Sequence, residues 1–291
     1  MTSSPPNIAL IRKVDDLRRR VAHWREAGLS VGLAPTMGAL HDGHLSLVKK
    51  AKADCDKVVV SLFVNPTQFG PGEDLKAYPR DEESDRALLD GLGVDVLYAP
   101  DIDEIYPKDF STTVRVEGVS EGLCGAVRPV HFAGVATVVS KLLMQVRPDA
   151  AYFGEKDYQQ LCVIERLVRD LDMDVRIVGV PTVREADGLA LSSRNAYLNK
   201  NERAIAPALY ETLAEIAGKI EAGGDPAKLA AWGREKLLKA GFEKVDYLEV
   251  CDAATLAPVS VATGRLRILT AAYLGKARLI DNISARGPEK S

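Results

Sequence analysis

Two histidines in one short turn are the residues of this sequence with the clearest chemical potential. His41 and His44 follow an apolar run that begins at Val31 and precede a segment with helical spacing. Residues three apart share one side of a helix, so both imidazoles would lie at its N-terminus, where backbone N–H groups and the helix dipole attract anions. Gly38 and Gly43 would let a ligand approach the backbone closely. The turn predicts a phosphate-binding site, although a capping turn that happens to hold two imidazoles would look the same.

A second polar junction, Gly154-Glu155-Lys156-Asp157, follows another short apolar run. The lysine would supply a point charge for phosphate, and a neighbouring carboxylate could hold a magnesium ion or a ribose. An ordinary capped helix start would have the same composition. The position favours a ligand site if both junctions lie on one edge of one sheet.

The third candidate is Leu191-Ser192-Ser193-Arg194-Asn195, within a polar loop from about residue 184 to 199. Two hydroxyl groups beside a guanidinium are suited to bind a triphosphate and release it by loop movement. Taken alone, the segment would more simply be a solvated turn.

The elements that would position these residues alternate between strand and helix up to about residue 181. Apolar runs predict strands, and amphipathic spacing predicts helices between them. This alternation indicates an α/β fold with a Rossmann-like, doubly wound parallel sheet, whose carboxyl edge binds ligands. The strands are predicted in the apolar run that begins at Val31 and ends at 35–38, and at 58–64, 94–98, 112–116, 150–153 and 175–180. The helices are predicted at 15–27, 81–92, 135–146 and 158–171, and an irregular start at 1–7.

The pattern changes after about Pro181. It predicts one helix over 200–222 and a second beginning at Asp225-Pro226, a good N-cap followed by proline at the first helical position. Three late strands, at 245–250, 266–273 and 276–283, have no crossover helices between them. We therefore expect residues 1–181 to form a nucleotide-binding domain and residues 182–291 a smaller C-terminal α+β domain.

Composition excludes several classes of protein. A net charge of −3 argues against a broad nucleic-acid surface. No segment approaches the roughly 20 apolar residues that span a bilayer, and no secretory signal is apparent, so we expect a soluble cytoplasmic protein. The four cysteines are far apart in the sequence and are expected to be buried thiols. His23 is expected at the surface, and His131 at a helix start or in a substrate loop.

Together the three polar segments resemble the class I aminoacyl-tRNA synthetase-like nucleotidyltransferases. The His41–His44 turn is similar to their HIGH motif, and Ser192–Arg194 stands where their KMSKS loop falls. Six segments in order resemble, more narrowly, the pantothenate synthetase family. They are PTMGALHDGH (35–44), FVNPTQF (63–69), YPR (78–80), RPVHFAGV (128–135), GEKDYQQ (154–160) and LSSRN (191–195).

This resemblance implies an ATP-dependent ligase that joins (R)-pantoate to β-alanine through a pantoyl adenylate, releasing AMP and pyrophosphate. It implies His44 as proton donor and His41, Lys156 and Arg194 as further catalytic residues, with magnesium bound to ATP. The implied ATP-binding residues are Met37, Gly38, Ala39, Leu40, His41, Asp42, Gly43, His44, Gly154, Glu155, Lys156, Asp157, Val183, Leu191, Ser192, Ser193 and Arg194.

Gln68 and Gln160 match the family's pantoate-binding glutamines, and amides suit hydroxyl recognition because they both donate and accept hydrogen bonds. Without that context both would pass as surface residues. Asp85 is a candidate magnesium ligand, although a solvated helix face explains it equally well. The resemblance also implies a homodimer, and we expect residues 182–291 to act as a partial lid that excludes water from the acyl adenylate.

Three alternatives remain open at the level of sequence. A related adenylyltransferase would stop at a nucleotidylated product, but Gln68 and Gln160 argue against it. An RNA-binding module is disfavoured by the negative charge and by the lack of a basic stripe or aromatic platform. A non-catalytic nucleotide sensor is disfavoured by the intact histidine pair with Lys156 and Arg194.

Overall fold

The computed structural model describes residues 8–288, so the irregular start predicted for residues 1–7 lies outside the described part. The described chain forms two compact units. The first comprises residues 8–116, 130–155 and 163–181, and the second comprises 117–129, 156–162 and 182–288. Residues 117–129 and 156–162 thus group with the C-terminal residues, whereas the sequence pattern predicted a single boundary at residue 181. That linear division remains a prediction.

A six-stranded parallel sheet forms the centre of the first unit, as the α/β pattern predicts. The strand order is β1-β4-β3-β2-β5-β6. Because β2 has β3 on one side and β5 on the other, the winding direction reverses between β2 and β5, where ligands bind in doubly wound sheets. The strands are β1 (Ala9–Ile11), β2 (Val31–Thr36), β3 (Lys57–Leu62), β4 (Val96–Tyr98), β5 (Ala150–Gly154) and β6 (Arg176–Val180).

Helices connect these strands along the chain, and several of them bury apolar side chains. Two of these helices involve the second unit: α5 lies within it, and α7 starts there and continues into the first. These helices are α1 (Val14–Glu26), α2 (Asp42–Asp54), α3 (Glu82–Gly91), α4 (Ile102–Ile105), α5 (Cys124–Val127), α6 (His131–Val146) and α7 (Tyr158–Asp170).

Two strand assignments differ from the sequence pattern. The edge strand β1 was not predicted, because three residues carry too little periodicity to register. The strand predicted at 112–116 is wrong, since the structure forms no strand over these residues. The backbone N–H of Val114 instead donates to Thr137 Oγ1 of α6 at 2.9 Å. A side chain outside the segment thus satisfies a group that a ladder would have used.

The C-terminal segment of the second unit contains three helices and an antiparallel sheet of order β7-β8-β9. The single helix predicted over 200–222 is wrong. It is interrupted at Pro207, which has no N–H to continue the helical hydrogen bonds. Asp225 caps the next helix, with Pro226 at its first position, as predicted. The elements are α8 (Lys200–Ile205), α9 (Ala208–Glu221), α10 (Pro226–Ala240), β7 (Lys244–Asp252), β8 (Arg265–Leu274) and β9 (Ala277–Arg286).

The cysteines and His23 lie where the sequence analysis placed them. All four cysteines are buried and free, and His23 is exposed. Within residues 8–288 no helix combines the length and apolar character that crossing a membrane requires.

Asp95, which precedes β4, joins three segments of the first unit. Its carboxylate accepts hydrogen bonds from Lys57 Nζ (2.8 Å), Lys52 Nζ (3.2 Å) and the Val58 N–H (2.9 Å). Burial alone would raise the pKa of Asp95, but these donors favour the charged form and bring its pKa below the ordinary value. The carboxylate therefore stabilises the fold only while it is ionised.

We expect Asp95→Asn to destabilise the protein at neutral pH by about 1.5–3 kcal/mol, the usual contribution of hydrogen bonds to a charged group. Because the folded pKa is depressed, this contribution is complete above the unfolded pKa and is lost as the pH falls through the folded pKa. Urea unfolding at neutral pH and below about pH 4 measures the difference between variant and wild type, which should shrink in acid. Asp16→Asn, in an exposed pair with Arg19, is the control. An equal difference at both pH values would contradict the assignment.

Candidate active site

The histidine turn lies between β2 and α2, at the carboxyl end of a central strand. His41 is the N-cap of α2, and its Nδ1 accepts the N–H of Gly43 at 3.1 Å. Because Nδ1 is the acceptor, the neutral ring carries its proton on Nε2. The rings of His41 and His44 have centroids 4.1 Å apart with an interplanar angle of 36°. The predicted pairing of two half-buried imidazoles at a helix N-terminus is therefore present.

A buried carboxylate holds the backbone that leads into this turn. Gly38 and Ala39 have φ values of 85° and 52°, and the second is uncommon for a residue with a side chain. Asp85 Oδ2 accepts the N–H of Ala39 at 2.9 Å, and Oδ1 accepts the N–H of Leu40 at 2.8 Å. A Cβ atom at Gly38 would lie 3.0 Å from Asp85 Oδ2. Asp85 thus fixes an unusual backbone conformation directly before His41.

These contacts bear on the suggested roles of Asp85. The side chain is 3% exposed, so the solvated-helix explanation is wrong. Burial raises the pKa of Asp85 above its ordinary value, although the two backbone N–H groups oppose that shift. Between residues 8 and 288 there is no group of three His, Cys, Asp or Glu residues that could hold a metal. The donor set does not fit a magnesium ion held by protein ligands alone, and a contribution of Asp85 to magnesium binding stays a prediction.

The orientation of the Gln68 amide is determined by Asn65, which is 1% exposed. Asn65 Oδ1 accepts the backbone N–H of Thr67, and Asn65 Nδ2 donates to the carbonyl of Gly134 at 3.1 Å. Because a backbone N–H only donates and a carbonyl only accepts, the Asn65 amide has one possible orientation. The Gln68 atom that accepts from Asn65 Nδ2 at 3.1 Å is therefore Oε1. Gln68 Nε2 faces Met37, whose Sδ lies at 3.1 Å, and presents N–H donors on that side.

The 3₁₀ turn Pro66–Gln68 also packs unusually closely against α6. His131, the first residue of α6, is buried, and its Nδ1 donates to the Gln68 carbonyl at 2.9 Å. A Cβ atom at Gly134 would lie 2.5 Å from the Thr67 carbonyl oxygen. Only glycine therefore permits this approach. The sequence left the role of His131 open, and in the structure its ring supports the backbone of Gln68.

Tyr106 completes this support. Its hydroxyl donates to Asn65 Oδ1 at 2.8 Å and lies 3.1 Å from Thr67 Oγ1. Burial raises the pKa of Tyr106, so the hydroxyl remains protonated and able to donate.

The Lys156 segment forms a 3₁₀ turn, Glu155–Asp157, directly before α7, and Lys156 itself belongs to the second unit. The Lys156 carbonyl accepts from Asn282 Nδ2 at 2.8 Å. The neighbouring Gln159 is buried and uses its amide internally: it accepts the N–H of Cys124 and donates to the carbonyls of Val119 and Gly122. Gln160 is half-buried. The role of Gln160 as a substrate amide stays a prediction.

The Ser-Ser-Arg segment is more ordered than the polar loop expected from sequence. Ser192 caps a 3₁₀ turn, Ser193–Tyr197, and its Oγ accepts the N–H of Arg194 at 3.2 Å. The hydroxyl proton of Ser192 therefore points away from that nitrogen. The N–H of Leu191 donates to the carbonyl of Val183 at 3.0 Å, so these two predicted ATP-site residues are adjacent.

Within the first unit the structure brings together Met37, the histidine turn and Gln68 at the carboxyl ends of β2 and β3. Within the second it places Lys156 and Ser192 on one small cavity. Sequence reasoning missed Asn65 and Asp85 as supports. Asn65-Pro66 is an N-cap followed by proline, and that signal could have identified a structured turn.

Comparison with known proteins gives concordant matches over nearly the whole chain. The Pantoate-beta-alanine ligase family model matches residues 9–284. A pantothenate synthetase from Paramagnetospirillum magneticum is 61% identical over 276 residues, which cover 95% of this chain and 97% of the relative. The crystal structure of pantothenate synthetase from Thermus thermophilus has a TM-score of 0.88 and 49% identity, and the match covers 95% of this chain and 99% of that chain.

A further solved structure was obtained with bound small molecules. The pantoate-beta-alanine ligase from Francisella tularensis, complexed with beta-gamma ATP and beta-alanine, has a TM-score of 0.79 and 36% identity. That match covers 95% of this chain and 97% of that chain.

The contact at Gly134 gives a test of the support for Gln68. We expect Gly134→Ala to destabilise the protein by about 1–3 kcal/mol, the cost of overpacking against an atom that cannot move aside. Gly218→Ala, inside α9 with open space around its Cβ position, is the matched control. It should be neutral or more stable by about 0.5–1 kcal/mol, since alanine favours a helix. Thermal unfolding of both variants measures the contrast, and equal stabilities would show that the close approach is absent.

Proposed function

The chain belongs to the pantoate–β-alanine ligase family, also called the pantothenate synthetase family, and from this premise we propose the course of its reaction. The protein condenses (R)-pantoate with β-alanine to give pantothenate. ATP is split to AMP and pyrophosphate, and a pantoyl adenylate is the intermediate. The observation that carries this proposal is the pair of imidazoles at the N-terminus of α2, beside the switch point of the sheet.

Adenylate formation makes a specific electrostatic demand. A carboxylate oxygen of pantoate attacks the α-phosphorus of ATP, and the bond from that phosphorus to the pyrophosphate oxygen breaks. Charge grows on the phosphoryl oxygens and on the leaving pyrophosphate, so positioned hydrogen-bond donors lower the barrier more than a covalent step would. The Nε2–H of His41 and the helix N-terminus supply such donors at one place, with His44 as the proposed proton donor.

The remaining ATP contacts are proposed from the family match. Lys156 and Arg194 bind the β- and γ-phosphates as cations, and the hydroxyls of Ser192 and Ser193 add neutral donors. Asp157 binds the ribose. The other lining residues are Met37, Gly38, Ala39, Leu40, Asp42, Gly43, Gly154, Glu155, Val183 and Leu191.

Pantoate recognition is supported by the fixed orientation of Gln68. With Oε1 engaged by Asn65, Nε2 donates to a substrate oxygen, either a hydroxyl or the carboxylate. Gln160 is the second proposed amide. The second step is attack of the neutral β-alanine amine on the acyl carbon, which releases AMP. The Francisella relative, with its nucleotide and β-alanine, supports both substrates for this chain.

Other properties implied by the family are proposed on the same basis. Magnesium would be bound mainly by the phosphate oxygens of ATP, which suits an ion that retains several of its water ligands. The protein would be a cytoplasmic homodimer, which sedimentation equilibrium would test. A lid role for residues 182–291 would appear as a change in small-angle scattering when ATP is added.

The decisive assay measures AMP release from ATP and magnesium, with and without pantoate and β-alanine. We expect full turnover and an amide product only when all substrates are present. Pantoate-dependent exchange of pyrophosphate into ATP, without amine, would identify the adenylate. Exchange without an amide product would favour the adenylyltransferase alternative. If pantoate changes neither AMP release nor exchange, pantoate is not the acyl substrate.

Asn65→Asp tests how pantoate is recognised. The variant keeps the oxygen that accepts from Thr67 but loses the donor that orients Gln68. We expect the KM for pantoate to rise about tenfold or more, because losing a buried hydrogen bond costs about 1–3 kcal/mol. Asn201→Asp makes the same charge change at an exposed position and should leave KM unchanged. An unaltered KM for pantoate in Asn65→Asp would argue against the orienting role.

A further inference from the structure

We propose that Asp281 and Asn282, consecutive residues of β9, are positioning residues for the phosphate-binding segments of the second unit. Asn282 would hold the Lys156 turn, and Asp281 would hold the base of the loop that carries Ser192, Ser193 and Arg194. This inference rests on the proposed role of those segments in binding ATP. Neither residue belongs to a motif that the sequence singled out.

Asn282 contacts the Lys156 turn through its side chain. It is 3% exposed, and its Nδ2 donates to the Lys156 carbonyl at 2.8 Å, while its Oδ1 accepts from Arg267 Nε at 2.6 Å. A carbonyl can only accept and a guanidinium can only donate, so both ends of the amide are fixed. Asn282 therefore holds the backbone of Lys156 at one distance from β9.

Arg267 extends this contact into α7. Its guanidinium lies 4.0 Å from the centre of the Tyr158 ring, close enough for stacking. The Tyr158 hydroxyl donates to the Ala253 carbonyl at 2.9 Å. The residues on both sides of Asp157 are thus fixed to the antiparallel sheet of the second unit.

Asp281 contacts the loop base through a buried ion pair. It is 3% exposed, and its two oxygens accept from Arg184 Nη1 and Nη2 at 2.6 and 2.9 Å. Such a bidentate pair fixes direction as well as distance. Arg184 also donates to the carbonyls of Gly188 (3.1 Å) and Asn282 (3.3 Å), and it forms an antiparallel bridge with Ala190. The residue that immediately precedes Leu191 is therefore tied to β9.

A small cavity shows independently that these segments meet. Its lining includes Lys156, Ser192 and Asp281. The cavity has a volume of about 10 Å³, which is roughly the space of one water molecule. The distance between the Lys156 turn and the serine loop is consequently set by contacts to the same strand.

The positioning role predicts a selective kinetic defect. A displaced Lys156 or serine loop would weaken the hold on the β- and γ-phosphates without touching pantoate. Asn282→Asp keeps the acceptor for Arg267 but turns an oxygen toward the Lys156 carbonyl, and Asp281→Asn removes the charge that binds Arg184. We expect each to raise the KM for ATP in pantoate-dependent exchange about tenfold, while the KM for pantoate stays within about twofold.

Asp246→Asn is the matched control. Asp246 makes a buried ion pair with Arg278 at 2.8 Å in the same antiparallel sheet, and its ion-pair partners, Lys244 and Arg278, lie outside the Lys156 turn and residues 184–194. It should lose stability like Asp281→Asn in thermal unfolding, yet leave the KM for ATP within about twofold, because neither of its ion-pair partners belongs to the Lys156 turn or to residues 184–194. A general loosening of the sheet would instead raise the KM for ATP in all three variants and would overturn the proposal.

Direct ATP binding separates this inference from the proposed function. If wild-type protein fails to catalyse pantoate-dependent exchange, the proposed function is wrong, and calorimetric Kd values for ATP then decide whether Asn282→Asp weakens the nucleotide site. If Asn282→Asp does not fold, Asn282→Ser removes both amide contacts without adding charge and takes its place. An unchanged affinity for ATP in the folded variant would refute the positioning role.

Discussion

In the first unit, the orientation of Gln68, the proposed pantoate-binding amide, depends on how one buried asparagine is hydrogen-bonded. Asn65 accepts a hydrogen bond from the backbone N–H of Thr67 and donates one to the carbonyl of Gly134 in α6. These two backbone groups allow its amide only one orientation. That orientation determines which atom of Gln68 faces the site. Because an asparagine amide costs no buried charge, the arrangement is rigid without the desolvation penalty of an ion pair. Gly134 and His131 then fix the distance of the turn from α6.

Buried side chains also hold the backbone of residues expected to contact ligand in each of the two units. Asp85 uses both oxygens on the N–H groups before the histidine turn, and Asn282 uses its donor on the Lys156 carbonyl. Backbone atoms are suited to this because a loop held at its main chain leaves its side chains available. A buried polar group with every partner satisfied also specifies one conformation.

The fold was largely predictable because long apolar runs and helical spacing are local properties of the chain. The central strands at Val31 and Lys57 and the capped start at Asp225 agree with their patterns. The three errors in predicting strands and helices have separate causes. A three-residue edge strand has no measurable period, and the apparent strand at 112–116 was overridden by a side-chain hydrogen bond to α6. The helix interruption at Pro207 was visible in the sequence and was missed.

The sequence by itself determined the chemistry of the candidate site: imidazoles at a strand-to-helix turn, a lysine at a second junction and hydroxyls beside an arginine. These residues are adjacent in the chain, so their types and spacing carry the signal. The supports are separated in sequence, with Asp85 acting on Ala39, His131 on Gln68 and Asp281 on Arg184. Only the tertiary structure decided them, because a buried hydrogen bond between distant residues depends on three-dimensional distance and leaves no periodic pattern in the chain.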